Sequence, residues 1–157
     1  MVDYIVEQRL LIGRPRPVVF AFLADPCHAI QLTPPWLQLR ALGAPARRQA
    51  GAVLDYRLRC LGVPLTMRGF VRECDPPFRF LEVQVRGPFA RWEHRHRFVA
   101  TSETTTLMED RLVYRFPFGL VGRAAHLVVG RHLMAAAWAY RTRRIAELLG
   151  PVSSPDA

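Results

Sequence analysis

After Pro117-Phe118-Gly119 the hydrophobic period of this chain changes from two to that of a helix, and it stays helical to about Leu149. Before that point, from Trp36 onward, apolar residues alternate in runs at 36–42, 52–61, 64–74, 78–86, 90–101 and 104–116. Gly62, Asp75-Pro76-Pro77, Gly87-Pro88 and the Ser102-Glu103 region separate the last five runs, and none of these breaks is long enough for a crossover helix. Consecutive strands joined this closely pair antiparallel. An earlier strand is expected over 4–12, stopped by Gly13. Pro15 and Pro17 then open a short helix over 18–23, where proline is tolerated in the first turn, and Asp25-Pro26 ends it. A second short helix fits 27–32, broken by Thr33-Pro34-Pro35.

This order dictates an α+β architecture. A seven-stranded curved antiparallel sheet buries its inner face by curling around the long C-terminal helix, and the two short helices plug one end. Such a grip leaves a cavity between sheet and helix unless large side chains fill it. The chain has 157 residues, half of them hydrophobic, which suits one domain over 1–150 and a short polar tail over 151–157 after the Gly150-Pro151 stop.

Alternation assigns faces. In 90–101, Trp92, His94, His96 and Phe98 share the inner face and Arg91, Glu93, Arg95 and Arg97 the outer one. In 104–116 the inner set is Met108, Asp110, Leu112, Tyr114 and Phe116. A hairpin centred near Ser102 or Glu103 puts Asp110 opposite His96 or, in the other register, opposite His94. Two imidazoles and a carboxylate then meet away from water, where an ionised aspartate needs a partner. Three readings stay open for the cluster. It is a satisfied polar network, the polar end of a ligand cavity that recognises a carboxyl, hydroxyl or keto group, or a site for acid-base chemistry or a metal held by two histidines and a carboxylate.

The remaining wall follows from the same periods. Leu54, Tyr56, Leu58 and Cys60 line one strand face, and a tight turn at Gly87-Pro88 aligns Leu81, Val83 and Val85 with Trp92 and the histidines, leaving Glu82 outside; a bulge would reverse this. On the helix, Val121, Ala125, Val128 and His132 fall on one line and Leu127, Met134, Trp138, Arg141 and Ile145 on another. His126 and His132 read as surface or mouth residues, and Arg141, Arg143 and Arg144 as complements to the helix dipole. Phe89 and Pro34-Pro35-Trp36 are candidates to border an opening.

The chain carries 22 basic and 13 acidic residues, a formal +9, and every basic residue is arginine. Positive charge favours anionic partners, but these arginines are scattered from Arg9 to Arg144, and a coding bias explains the absence of lysine equally well. On the strands they alternate with the inner set, beside Asp55, Glu93 and Glu109. A solvated sheet exterior is expected, not a nucleic-acid platform, while transient contact with an anionic membrane surface is compatible. Cys27, Cys60 and Cys74 are odd in number and lack C-x-x-C spacing, so no disulfide framework or zinc ribbon is indicated. The first residues lack a signal-peptide pattern, and Arg123, His126, Arg131 and His132 interrupt the most apolar helix. A cytoplasmic protein without a transmembrane segment is expected.

Several segments also resemble a family: Phe22-Leu23-Ala24-Asp25-Pro26, Leu32-Thr33-Pro34-Pro35-Trp36, Asp75-Pro76-Pro77, Gly87-Pro88-Phe89 followed by Trp92-x-His94-x-His96-x-Phe98, and the stretch 110–119. Together they are similar to the START-like superfamily, which includes the birch-pollen-allergen-like proteins and the bacterial polyketide cyclase/dehydrase and lipid-transport group. The resemblance implies a helix-grip fold; no cofactor or metal is assigned, and the metal reading of the cluster stays open. With the wall read above, it leads to binding of a small hydrophobic ligand, a lipid, polyketide-like or isoprenoid compound, in a carrier or sensor. The ligand would meet Tyr56, Leu58, Trp92, His94, His96 and Phe98 on the early strands, then Met108, Asp110, Leu112, Tyr114, Val128 and Trp138. The alternative is a cyclase/dehydratase using His94, His96 and Asp110, and a third is a packed regulatory module with a basic interaction surface. No G-x-S-x-G, H-E-x-x-H, Walker loop or dinucleotide fingerprint is present, which removes the common hydrolase, ATPase and dehydrogenase readings.

Overall fold

The structure, a computed structural model, describes residues 2–43 and 47–155. Strand β1 (Tyr4–Ile12) leads to helices α1 (Arg16–Ala24) and α2 (Pro26–Gln31), then to a single 3-10 turn at Pro35–Leu37. Strands β2 (Arg40–Ala41), β3 (Val53–Cys60), β4 (Val63–Asp75), β5 (Arg79–Arg86), β6 (Arg91–Ala100) and β7 (Thr106–Arg115) follow. Helix α3 (Gly119–Ala125) runs through a π turn (His126–Gly130) into α4 (Arg131–Leu149), and β8 (Val152–Ser153) ends the order. All pairings are antiparallel, in the sequence β2-β3-β4-β5-β6-β7-β1-β8. This is the expected α+β helix grip with eight strands in place of seven.

The eighth strand comes from the segment expected to be a polar tail. Gly150, at a φ of 100°, turns the chain back from α4, and Gly13 N–H donates to Pro151 O. Val152 and Ser153 then pair with Ile12 and Leu11 and cover part of the free edge of β1. At the opposite edge, the run expected over 36–42 shrinks to Arg40–Ala41, because the chain from Pro35 to Leu37 coils and Gln38 adopts a left-handed conformation.

Turn lengths set the registers of the β3–β4 and β6–β7 hairpins. Leu61 and Gly62, both at positive φ, make the two-residue turn that pairs Cys60 with Val63. The β6–β7 hairpin pairs Thr106 with Ala100 and so sets Asp110 opposite His96, one of the two expected registers. The β5–β6 pairing corrects the expected face of β5: Phe80 lies opposite His96 and Glu82 opposite His94. A two-residue turn at Gly87-Pro88 would have given Leu81 and Val83 that place. In the actual register the last pair is Val83 with Glu93, and the nine residues between them, an odd number, reverse the face. Glu82 therefore points inward, and Val85, expected inside, is exposed.

The grip is solid at one end. Leu10, Ile12, Val19, Phe20, Leu23, Leu32, Phe80, Phe98, Met108, Ile145 and Leu149 form a single buried cluster in which α1 and the last turns of α4 close the sheet. On the outer face the arginines meet acids, as in the fork of Arg68 on Asp55 at 2.7 and 3.0 Å and the pair of Arg111 with Glu7 at 3.0 Å. Exposed pairs of this kind add little stability each.

The C-terminal helix lies over β1 and β7. Gln8 Nε2 donates to Thr142 Oγ1, and His126 stacks on Tyr4 with ring centroids 3.5 Å apart. Two glycines let the helix pack closely on the segment after β7: a Cβ on Gly122 would fall 1.9 Å from Pro117 O, and one on Gly130 would fall 2.8 Å from Phe116 Cζ. Over the concave face of β3–β6 the helix and sheet do not close on each other, and a cavity forms between them.

Candidate functional site

The cavity has a volume of about 550 Å³, within the range of small-molecule sites. Its floor is β3 to β6, contributing Tyr56, Leu58, Cys60, Leu65, Met67, Glu82, Trp92, His94 and His96. Its roof is the helix, through Ala125, Val129, Gly130, Leu133, Met134, Ala137, Trp138 and Arg141. One side is closed by Leu23, Ala29, Leu32 and the segment Thr33 to Leu37, with Trp36 partly exposed, and Phe89 and Phe116 close another.

Six of the residues expected to meet a ligand line this space: Tyr56, Leu58, Trp92, His94, His96 and Trp138. The others lie elsewhere. Met108, Asp110, Leu112 and Tyr114 all belong to β7, which the helix covers; they are buried behind the wall. Phe98 belongs to the solid end, against Phe20 and Phe80. Val128 is 72% exposed on the outside of the helix. Its assignment failed because the inward stripe passes through Gly122, His126 and Gly130, residues with little apolar bulk, and not through Val121 and Val128. His126, expected at the surface, is buried on Tyr4 for the same reason.

One pole of the cavity is polar. His96 Nδ1 lies 2.6 Å from Asp110 Oδ1, and Arg141 donates from Nε and Nη2 to Asp110 Oδ2 at 3.2 and 3.1 Å. His94 packs on His96, with centroids 3.9 Å apart, and its Nε2 is 4.0 Å from Asp110 Oδ2. Beside them Arg48 Nε donates to Glu82 Oε2 at 2.8 Å, with the two side chains 8% and 10% exposed, and Arg48 Nη1 donates to Leu23 O at 3.2 Å. Gly69 makes room for this pair, since a Cβ there would fall 2.6 Å from Glu82 Oε1.

Arg141, Arg48 and Glu82 escaped the sequence reading. For Arg141 a signal existed, because it stands on the helical line of Met134 and Trp138; the plainer dipole explanation took its place. Arg48 lies in the connection before β3, where no period reports direction, and the face of Glu82 turned on one residue of turn length.

Burial and neighbouring charges fix the protonation states. Burial alone would raise the Asp110 carboxyl, but His96 and Arg141 outweigh it and hold the group well below the usual carboxylate range. Burial, reinforced by Arg141 and Arg48, lowers both imidazoles, His94 strongly, against the pull of Asp110. His96 is thus a neutral ring that donates its Nδ1–H to the carboxylate. Burial pushes the Tyr56 phenol up to about 12, so it too is neutral. Three residues that line the cavity each carry a buried polar atom with no hydrogen-bond partner among the described residues: Tyr56 Oη, His94 Nε2 and Trp138 Nε1.

The donor atoms of His94, His96 and Asp110 lie within 4.8 Å of one another, a spacing compatible with a metal ion. The chemistry of the set opposes one. Arg141 already occupies Asp110 Oδ2, and its permanent charge repels a cation at that oxygen.

No family model and no curated protein matches the chain in sequence. Solved structures do match in shape. A START superfamily protein from Mycobacterium smegmatis aligns with a TM-score of 0.63 at 16% identity, covering 88% of this chain and 95% of its own. Major latex-like protein 151 from Panax ginseng aligns at 0.66 and 14% identity, over 95% and 99%. The chain shares their helix-grip fold. The Zhui aromatase/cyclase from Streptomyces sp. R1128 shares it, with a TM-score of 0.63 at 15% identity over 94% of this chain and 96% of its own. One helix-grip scaffold therefore carries proteins with different described roles, and function must be argued from the cavity.

Proposed function

We propose that this helix-grip protein binds one small hydrophobic molecule with a single polar end, a lipid, polyketide-like or isoprenoid compound, as a carrier or sensor, through residues 1–150. The observation that carries the reading is a cavity of about 550 Å³ whose wall is mainly aliphatic and aromatic, with its charged and imidazole groups gathered at a pole of His94, His96, Arg141, Arg48 and Glu82. A void of this size with apolar walls favours an apolar occupant over water. Native mass spectrometry of the purified protein tests it. An adduct of small-molecule mass, released by denaturation, is expected; a bare chain that also takes up no apolar molecule would contradict the proposal.

A cyclase/dehydratase rests on the 2.6 Å contact between His96 and Asp110 beside the lumen. The lowered basicity of both imidazoles weighs against it, because a general base works best with a pKa near the operating pH. Loss of turnover in His96→Asn with ligand binding retained would favour the enzyme.

The proposal extends to a transient contact with anionic membranes for ligand exchange. Phe118 and Leu120, 82% and 81% exposed, and Val121 and Val128 lie beside Arg123 and Arg131 on the same helical stretch that roofs the cavity through Ala125 and Val129. Apolar side chains next to arginines suit an interface of acyl chains and anionic headgroups. No helix of the described residues is long and apolar enough to cross a membrane. A cytoplasmic location belongs to the same proposal and fits three free cysteines.

A further inference from the structure

Two buried guanidinium–carboxylate pairs meet at the polar pole, and each closes on itself. Arg141 gives two hydrogen bonds to Asp110, and Arg48 gives one to Glu82 and one to a main-chain carbonyl. The sum of their charges is zero. The other titratable groups on the described wall, His94, His96, Tyr56 and Cys60, are neutral at neutral pH.

An ionised head entering this pole would lose its hydration and find no free counter-charge. A carboxylate or phosphate would lie beside Asp110 and Glu82, and an ammonium beside Arg48 and Arg141; breaking either pair to admit it would leave a buried charge alone. Each guanidinium keeps N–H groups outside these bonds, but its charge is already matched by its own carboxylate, and the other unmet hydrogen-bonding capacity is uncharged. Tyr56 Oη, His94 Nε2 and Trp138 Nε1 are uncharged, and the indole N–H is a donor only.

We propose that the cavity selects ligands whose polar end is an uncharged oxygen group, a hydroxyl or a carbonyl, and excludes their ionised counterparts, with Trp138 Nε1–H and Tyr56 Oη as its partners. The inference rests on the ligand-binding reading above and adds the chemical class of the head. It distinguishes a carrier of alcohols, phenols or ketones from a carrier of free fatty acids or phospholipid headgroups, which the apolar wall alone would not.

Three fluorescent compounds with one ring system provide the test: methylpyrene, pyrenemethanol and pyrenecarboxylate, titrated into the full chain at about pH 7.5, where the acid is ionised. Pyrenemethanol is expected to bind at least about tenfold more tightly than pyrenecarboxylate. In Trp138→Phe and Tyr56→Phe its affinity should fall about three- to tenfold further than that of methylpyrene, which feels the change in the wall but makes no hydrogen bond. If methylpyrene binds but the carboxylate equals or exceeds the alcohol, the uncharged-head inference is overturned and the cavity reading stands. Equal affinity of the alcohol in wild type and both variants would remove the assigned partners. If none of the three binds, the ligand-binding reading itself falls.

Discussion

Asp110 remains ionised in the interior because three side chains share its charge, and the stability of the protein should report that dependence. Arg141→Met leaves a buried carboxylate with only imidazole neighbours and should cost about 3 kcal/mol in denaturant unfolding. Adding Asp110→Leu to that variant should restore most of the loss, since an apolar pair avoids the uncompensated charge. A neutral single variant would mean the ion pair does not hold the helix to the sheet. The histidines give a pH signature with a definite sign. In the unfolded chain they take up protons near pH 6.5, whereas burial keeps His94 and His96 neutral to lower pH, so the unfolded state binds more protons. Stability is therefore full above that value and falls with acidification, by at most about 1.4 kcal/mol per pH unit for each histidine. Asp110, whose folded pKa is also depressed, acts in the same direction at more acidic pH. Urea unfolding between about pH 7.5 and 5 should show the decline, and His94→Gln should flatten it; stability rising toward acid would contradict the assigned protonation states.

Among the elements, strands were the most legible. Alternation in Trp92-x-His94-x-His96-x-Phe98 placed four side chains on the correct face of β6, and the β6–β7 turn limited the partner of Asp110 to two choices. Sequence periods do not say how far a helix slides across a concave sheet. That displacement decided which inward residues meet the cavity and which, like Leu112 and Tyr114, lie beneath the helix. The glycines at 122 and 130 let the helix pack closely on the Phe116-Pro117 segment that follows β7, although glycine in a helix reads only as a weak point. Gly122→Ala should be destabilising, by about 1–3 kcal/mol, because its Cβ meets main-chain oxygen that cannot rotate away. Gly130→Ala meets the end of the Phe116 ring, which can turn, and should cost less. Thermal melts of the two variants check the order; an Ala at 122 that stabilises the helix would show that the close approach to Pro117 is not required.

At the scale of the molecule, a solid end and a hollow end divide the grip at the His96–Asp110–Arg141 cluster. Strand alternation foretold the arginine-covered exterior but not its division of labour, in which paired arginines cover the sheet while Arg48 and Arg141 turn inward. The exposed Phe118–Val121 stretch allows a further check. Sedimentation with vesicles containing phosphatidylserine should retain the wild type more than neutral vesicles do, and a Phe118→Ser, Leu120→Ser variant should lose most of that retention. Equal retention on neutral vesicles, or an unaffected variant, would remove the membrane contact without touching the cavity.

The hollow itself is tested most directly by titrating methylpyrene into the wild type and into Ala137→Trp, whose indole would fill space between the helix and β6. Saturable binding of one molecule per chain is expected in the wild type, with loss of at least about tenfold in affinity in the variant at unchanged circular dichroism. Equal binding in both, or none in either, would contradict a ligand cavity between sheet and helix.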